Sequence, residues 1–580
     1  MKRPERQFPG ARRTTLRRGL WACTLAALLV WMGSAPSTGQ QIPGQDGLQP
    51  ILHYIGDGWV GLSRSLTECK TVSDPKTEKS VLYFPADMAV PAAAQQLQQK
   101  CGVRIEHLPG VLHRLGEADM KQIVGHGLLY LPNSYVVPGG FFNEMYGWDS
   151  YFIILGLLRD KRLDLARGMV ENFFFEIENY GALLNANRTY YLTRSQPPFL
   201  SSMVLGVYEA EKRAGHGDAG WLARAYPYLE KDYSMWAREP QLAGSTGLAR
   251  YYDFGEGPPP EGLQDEGGFY RKVISHFMVH PEQADHYLVE QKKEKAPTSP
   301  GSSYAITVCD IPTTMVKPEC EPEHVIRLSA DYYKGDRSMR ESGFDISFRF
   351  GAYGAATHHF APVCLNSLLY KTEKDLEQIS ELLGKSSDAK TWRERAEARK
   401  QNMEKYLWDG ERGLFFDYDF AEGKRSTYRY LTTYYPLWAG LATSEQAKAV
   451  VKNLDTFEQA GGLAMSPEKS GAQWDYPYGW APVEMLAIQG IRRYGFNDDA
   501  DRLSSKFLST VLENFARDGT IREKYNVVTG SSESQVEVGY QANVIGFGWT
   551  NAAFLELLHA LPKAAIEALE NSASGSPKTN

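Results

Sequence analysis

Two aromatic stretches of the sequence carry the residue types that a sugar-binding cleft needs. Residues 138–152 read PGGFFNEMYGWDSYF, and residues 473–482 read QWDYPYGWAP. Each stretch contains a Trp-Asp pair, Trp148-Asp149 and Trp474-Asp475. An indole ring can stack on the C–H face of a pyranose, while a carboxylate accepts hydrogen bonds from neighbouring hydroxyls. The pairs therefore indicate carbohydrate chemistry, with bracing of the core or of a loop as the alternative.

Four further stretches lie between these two and after them. They are NANRTYYLTRSQPP at 185–198, ESGFDISFR at 341–349, EKYN at 523–526 and GFGWTN at 546–551. Taken together in chain order, the six blocks closely resemble the sequence signatures of the trehalases, glycoside hydrolase family 37, over about 125–565. The resemblance implies an inverting glycoside hydrolase that splits α,α-trehalose into two glucose molecules without a cofactor or metal. We expect the chain to be a bacterial-type member of this family.

The resemblance also implies the two catalytic carboxylates. It places the general acid on Asp345 and the base on Glu523. An inverting glycosidase keeps these groups about 6.5–9.5 Å apart, so that a water fits between the base and the sugar. Because the two residues are far apart in the sequence, the fold must bring them together. The alternatives are a turn or helix cap after Gly343 for Asp345 and a surface ion pair with Lys524 for Glu523.

Other polar and aromatic residues in the matching blocks are expected to contact substrate. For Asn185, Arg194 and Gln196, the alternative role is to tether a loop by hydrogen bonds. For Trp549, the alternative is to close the core. Two glutamates of the 530–541 loop rival Glu523 as base, Glu533 and Glu537. The expected substrate-binding residues are Trp148, Asp149, Asn185, Arg194, Gln196, Glu261, Gly343, Trp474 and Trp549.

Three departures from the family pattern fall where a second sugar would bind. Phe141 stands where the family has arginine after Pro-Gly-Gly, and Pro259-Pro260-Glu261 stands where it has Arg-Pro-Glu. The family's glycine-rich lid is replaced by GSSESQVEVGYQ at 530–541. Each lost arginine removes a charge-assisted hydrogen bond worth roughly 1.5–3 kcal/mol. Another α-glucoside therefore remains an alternative substrate, and a catalytically weak carbohydrate-binding protein remains an alternative function.

The elements that position these residues are predicted to be mainly helical. Apolar residues recur at helical spacing between polar loops that are rich in Gly, Trp, Tyr and Pro, and long loops in compact domains usually carry function. A hairpin is expected around 413–427. The pattern favours an (α/α)6 toroidal barrel whose loops form the cleft. Predicted helices cover 164–178, 197–214, 358–384, 388–407, 444–456, 480–494, 498–517 and 549–570.

The chain divides into regions of different character. Basic residues followed by the apolar run 20–32 predict a signal peptide over 1–40 and a periplasmic or secreted enzyme. Residues 41–125 are expected to form an N-terminal cap, and 126–570 the catalytic barrel. Within the barrel, 276–330 is expected to be an insertion. Residues 571–580 are expected to form a disordered tail.

Charge and cysteine usage restrict the partners. The net charge of −7 excludes a nucleic-acid surface of the usual basic kind. The expected partner is a small sugar, with no stable membrane insertion after signal cleavage, and the expected state is a monomer. Cys69 with Cys101 and Cys309 with Cys320 are plausible disulfides, which leaves Cys364 as a buried thiol. No Cys/His spacing indicates a metal site.

Overall fold

The computed structural model describes residues 47–77, 79–260, 267–284, 286–292, 305–307 and 324–574. The predicted signal peptide, Glu261, and the Cys309–Cys320 pair lie outside these residues. Within them, no helix is both long and apolar enough to cross a membrane.

Helices dominate the described chain. Their bounds, in chain order, are α1 Gln49–Gly61, α2 Cys69–Val72, α3 Ala92–Cys101, α4 Gly147–Arg159, α5 Leu163–Asn179, α6 Leu200–Arg213, α7 Ala219–Trp236, α8 Gly267–Val279, α9 Pro281–Ala284, α10 Ala330–Glu341, α11 Val363–Leu382, α12 Ser386–Tyr406, α13 Tyr435–Ala439, α14 Ser444–Lys452, α15 Ala481–Arg493, α16 Asn497–Asp518, α17 Gly548–Ala560 and α18 Lys563–Ser574.

Six of these helices form a closed inner ring. Helix α4 packs on α6, α6 on α11, α11 on α13, α13 on α15, α15 on α17, and α17 returns to α4. Outer helices cover this ring, with α5 on α4, α7 on α6, α12 on α11 and α16 on α15. A second shell of helices around a closed ring buries both faces of the inner helices in one core. The predicted (α/α)6 barrel is confirmed.

Short strands occupy the loops and the N-terminal region. A parallel sheet joins the strands over 104–107, 81–84 and 128–129, and an antiparallel sheet joins those over 288–292, 324–328 and 305–307. The remaining strands form small antiparallel ladders. The bounds are β1 Ser63–Arg64, β2 Val81–Phe84, β3 Arg104–His107, β4 Leu128–Leu129, β5 Tyr135–Val136, β6 Leu288–Lys292, β7 Ala305–Thr307, β8 His324–Leu328, β9 Phe360–Ala361, β10 Trp408–Asp409, β11 Leu414–Phe415, β12 Tyr418–Asp419, β13 Lys424–Arg425, β14 Glu458–Gln459, β15 Gly462–Leu463, β16 Tyr478–Gly479 and β17 Tyr525–Asn526.

Several predicted elements differ from the structure in their bounds. The helix predicted over 549–570 is two helices, because Pro562 follows the break between α17 and α18. Helix α18 continues to Ser574, beyond the predicted start of the tail. Around 413–427, the chain forms two neighbouring ladders, β10–β11 and β12–β13. Cys69 and Cys101 form the predicted disulfide, and Cys364 is a buried free thiol as expected.

Candidate active site

The N-terminal ends of the inner helices meet at one end of the ring. Trp148 and Asp149 lie in the first turn of α4, and Trp549 lies in the first turn of α17. Trp480 directly precedes α15. The loops that precede these helices therefore converge, and they contain residues of the sequence blocks described above.

Three carboxylates from distant parts of the chain come into electrostatic range there. Burial raises the pKa of Asp149 well above its usual value, and the negative charges of Glu523 and Asp345 raise it further. Asp149 is 4% exposed, whereas Asp345 keeps 25% and Glu523 15% of the side chain exposed. Asp345 and Glu523 are thus the two partly exposed members of this group, and Asp149 is the buried one.

The turn that presents Asp345 follows directly from α10. Gly343 has φ +78°, and a Cβ at this position would lie 2.9 Å from Cε2 of Trp148. The hydroxyl oxygen of Ser342 accepts a hydrogen bond from the Phe344 amide at 3.2 Å. Both the left-handed backbone and the close contact with the indole require glycine at 343. Gly343 therefore shapes the turn by its lack of a side chain.

The surroundings of Asp345 make it a weak acid. Burial raises the pKa of its carboxyl to about 6, against the opposing effects of Arg340 and Arg194. The Tyr540 hydroxyl donates to Oδ2 of Asp345 at 3.2 Å, and Nη1 of Arg340 donates to the Tyr540 oxygen at 2.9 Å. Gln473 donates to the carbonyl oxygen of Asp345. The group thus stays protonated up to mildly acidic pH.

Glu523 is fixed through its backbone and paired through its side chain. Its amide donates to the Val544 carbonyl at 3.0 Å, and its own carbonyl accepts from Nε1 of Trp549 at 3.1 Å. Nζ of Lys524 lies 3.0 Å from Oε2, and the Lys524 side chain is fully buried. The ion pair between Glu523 and Lys524 therefore exists, but it lies in the wall of the site and not on the protein surface.

Three predicted tryptophans form one aromatic cluster beneath the carboxylates. The ring centroid of Trp148 lies 5.9 Å from that of Trp474 and 5.8 Å from that of Trp549. Trp474 also stacks on Trp480 at 3.7 Å. Each of the three predicted rings is at most 4% exposed. Their contacts hold the floor of the site rigidly in place.

The predicted polar residues of 185–198 lie against this floor. Oε1 of Gln196 accepts from the Trp148 amide at 2.9 Å, and Arg194 donates to Oδ1 of Asn185 at 3.3 Å. Nη1 of Arg194 lies 3.5 Å from Oδ2 of Asp253. These contacts are the loop tethers that the sequence offered as the alternative, and they also bring Arg194 within electrostatic reach of Asp345.

Sequence reasoning missed the charged face of α10. Arg337 pairs with Asp253 at 3.2 Å, and Glu341 accepts from the amides of Ser195 and Tyr252. Burial raises the pKa of Glu341 to about 8. The spacing of Arg337, Arg340 and Glu341 at i, i+3 and i+4 was the available signal, since such residues share one helix face.

Comparison with known proteins identifies the family. The trehalase family model matches residues 66–295 and 326–562. A probable trehalase of Eremothecium gossypii is 37% identical over 89% of this chain and 68% of its own length. A cytosolic neutral trehalase of Emericella nidulans is 39% identical over 75% of this chain and 59% of its own length. The structure of neutral trehalase Nth1 from Saccharomyces cerevisiae superposes with TM-score 0.70 at 31% identity, over 91% of this chain and 96% of that one.

The chain belongs to the trehalase family. It spans between 59% and 68% of the two sequence relatives' lengths. These relatives are fungal, so the expectation of a bacterial-type trehalase is not borne out. The expectation of a signal peptide and a periplasmic or secreted enzyme is wrong, because relatives over most of the chain, including that of Emericella nidulans, are cytosolic neutral trehalases.

The departures from the trehalase pattern have visible structural consequences. Phe141 is 63% exposed, and its ring lies 5.5 Å from Nζ of Lys76. Pro259 is buried, and the loop before it is held by Arg337, which donates to the carbonyls of Gly257, Glu256 and Pro258 at 2.7–3.2 Å. An arginine of α10 therefore reaches the loop that lacks the family's own arginine.

Proposed function

We propose that this chain hydrolyses α,α-trehalose to two glucose molecules with inversion at the attacked anomeric carbon. The observation that carries the proposal is the convergence of Asp149, Asp345 and Glu523 at one end of the helical ring. Membership of the trehalase family supports the substrate. The family resemblance suggests the residue roles, and the exposure and hydrogen bonds of these side chains support them.

Asp345 acts as the general acid. A glucosyl leaving group needs a proton on its oxygen as the glycosidic bond breaks, and positioned proton transfer contributes roughly 10²–10⁴-fold. With a pKa of about 6, Asp345 holds that proton at mildly acidic pH and exposes a quarter of its side chain to the cleft. Tyr540 and Arg340 then stabilise the carboxylate that remains after the transfer.

Glu523 acts as the base that activates water. Its two backbone hydrogen bonds fix its position, and Lys524 supplies an adjacent positive charge. The rivals Glu533 and Glu537 are exposed on the 530–541 loop and face Lys469 and Tyr476 across a surface pocket. Neither rival contributes to the raised pKa of Asp149, whereas Glu523 does.

The remaining residues hold the sugar. Asp149, buried at the start of α4, offers a hydrogen-bonding carboxyl to the hydroxyls of the sugar that is cleaved, with Trp148 as the apolar surface beside it. Asn185, Arg194 and Gln196 line the same wall, and Trp474, Trp549 and Gly343 shape its floor. Glu261 belongs to this set through the family pattern alone, because it lies outside the described residues.

One chain supplies all three carboxylates, so we include in the proposal that a monomer is the active form. Residues 126–570 form the catalytic barrel with the 276–330 insertion, and 41–125 form its cap. The parallel sheet of β2, β3 and β4 links the two, since Leu128 and Leu129 pair with Leu82 and Tyr83.

A substrate panel tests the function. Purified protein is incubated with trehalose, maltose, kojibiose and a nitrophenyl α-glucoside, and glucose release is measured. We expect trehalose to give the highest kcat/KM, and Asp345→Asn to lower kcat for it by at least 10²–10⁴-fold with an unchanged circular dichroism spectrum. A higher kcat/KM for another α-glucoside would mean that the altered second-sugar pocket selects that substrate instead of trehalose. Sugar binding without turnover of any of them would contradict the proposal.

A further inference from the structure

A group of imidazoles surrounds one carboxylate outside the proposed active site. Nε2 of His358 lies 3.0 Å and Nε2 of His359 lies 3.9 Å from Oδ1 of Asp331. The second carboxylate oxygen, Oδ2, lies 2.8 Å from Nε2 of His286. One ligand atom from each of Asp331, His358 and His359 falls within 4.8 Å of the other two.

Two ring nitrogens converge on one oxygen of this cluster. Nε2 of His358 is within hydrogen-bond distance of Oδ1 of Asp331, and Nε2 of His359 lies just beyond that distance from the same oxygen. The two rings lie against each other, with centroids 4.0 Å apart. Two imidazole nitrogens and one carboxylate oxygen within one small region are the ligand types of a transition-metal site, which binds imidazole in its neutral form.

The spacing fits a small divalent ion. Tetrahedral zinc has bonds of about 2.0–2.2 Å to imidazole nitrogen and carboxylate oxygen, which places neighbouring ligand atoms roughly 3.4 Å apart. The two nitrogen–oxygen separations of 3.0 and 3.9 Å bracket this value, and all three ligand atoms lie within 4.8 Å of one another. Two nitrogens and one oxygen suit zinc and its neighbours, whereas calcium and magnesium prefer oxygen alone.

The exposure of the residues fits a bound ion with solvent access. The His358 side chain is 6% exposed, and its ring packs against that of His359. His359 is 25% and Asp331 31% exposed, which leaves room for a water as the fourth ligand. His286 holds the non-ligating oxygen of Asp331, the position in which outer hydrogen bonds orient metal ligands.

We propose that Asp331, His358 and His359 bind one Zn²⁺ ion, with His286 orienting the carboxylate. Asp331 lies in the first turn of α10, and the histidines lie in the turn 357–359 that precedes β9. The ion fastens the start of α10, the helix that carries Arg337, Arg340 and Glu341, to this turn. The site is distinct from the proposed catalytic carboxylates and takes no part in the hydrolytic step.

Isothermal titration of the full chain with ZnCl2 tests the site after treatment with a chelator and removal of the chelator by dialysis. We expect one equivalent to bind, with at least a 100-fold weaker affinity in His359→Gln, which keeps the size and hydrogen bonding of the side chain. His216→Gln is the matched control, because His216 is an exposed histidine on another surface, and it should bind Zn²⁺ like the parent.

A second readout locates the ion by its ligands. Co²⁺ in the same site should give visible ligand-field absorption without a thiolate charge-transfer band, and Zn²⁺ should raise the Tm of the parent but not of His359→Gln. Absence of binding in the parent protein would overturn the proposal. Equal affinity in His359→Gln and the parent, or a thiolate band that places the ion on cysteines, would overturn it as well.

Discussion

At the scale of single residues, the phenol of Tyr540 adds to the charges of Arg340 and Arg194 in favouring the ionised form of Asp345. The Tyr540 hydroxyl is the hydrogen-bond donor that touches its carboxylate, and it comes from the loop that replaces the family's glycine-rich lid. This hydrogen bond favours the ionised carboxylate and therefore lowers the pKa of Asp345, against the effect of burial. The substitution of the lid thus bears directly on the proposed acid.

Tyr540→Phe should shift the pH profile of kcat/KM. Activity requires protonated Asp345, so the alkaline limb of the parent should fall as the pH rises through about 6. Without the donor, the pKa of Asp345 rises and the limb should move upward by about 0.7 pH unit, since such a partly exposed hydrogen bond is worth about 1 kcal/mol. Tyr494→Phe, which loses a hydrogen bond to the Ala442 carbonyl on another surface, is the control and should leave the limb in place. A downward shift in Tyr540→Phe would contradict the assignment.

At the scale of elements, buried acids tie the inner helices to their loops. Glu484 of α15 is 1% exposed and accepts a hydrogen bond from the Leu463 amide at 2.8 Å. Burial raises the pKa of Glu484 to about 8. A carboxyl with a folded pKa above its unfolded value stabilises the fold at low pH, and that contribution is lost as the pH rises from about 4.5 to 8.

Glu484→Gln should therefore flatten the dependence of stability on pH. The amide does not ionise, so the variant should have a higher Tm than the parent at pH 8–9 and a similar or lower Tm at pH 5. The difference in unfolding free energy between these limits should be on the order of a few kcal/mol. Glu513→Gln, on the exposed face of α16, should show the same pH dependence as the parent. Parallel Tm curves for Glu484→Gln and the parent would refute this account.

The burial of each helix explains which helices the sequence could predict. Helices α5, α12 and α16 have one buried face, so their apolar spacing revealed them. Helix α4 is buried on nearly all sides, and an all-round apolar segment has no helical periodicity to detect. Helix α7 contains Pro227, which normally interrupts a helical pattern.

The residues of the candidate site likewise divide into those that the sequence predicted and those that it did not. The six sequence blocks predicted the residues at the ends of α4 and α17, because those residues are the ones that the family pattern contains. Tyr540 and Arg337 were not predicted, since each contacts a residue far away in the chain. Contacts of this kind arise from ring closure, which no local pattern encodes.

At the scale of the whole molecule, the ring closes where α4 meets α17. Gly156 of α4 allows this approach, because a Cβ there would lie 2.8 Å from the Trp59 ring and 3.0 Å from Cβ of Ala552. Arg159 and Glu556 form two hydrogen bonds across the same seam. The first and last inner helices are therefore joined by close packing and an ion pair.

Gly156→Ala should destabilise the barrel, although alanine favours helices. The added methyl must push Trp59 or α17 outward, which costs roughly 1–3 kcal/mol and outweighs the gain of about 1 kcal/mol in helix propensity. Gly206 of α6 is the matched control, since its added Cβ would meet only Leu158 at 3.6 Å. Thermal unfolding should show a lower Tm for Gly156→Ala and an equal or higher Tm for Gly206→Ala. An equal rise in both variants would show that the seam has room to spare.

The anomeric form of the first glucose released tests the central claim most directly. Proton NMR of trehalose hydrolysis, recorded before mutarotation, distinguishes the leaving glucose from the attacked one. Inversion by Asp345 and Glu523 predicts equal initial amounts of α-glucose and β-glucose, because water enters opposite the bond that breaks. Initial release of α-glucose alone would mean retention and would contradict the proposed mechanism.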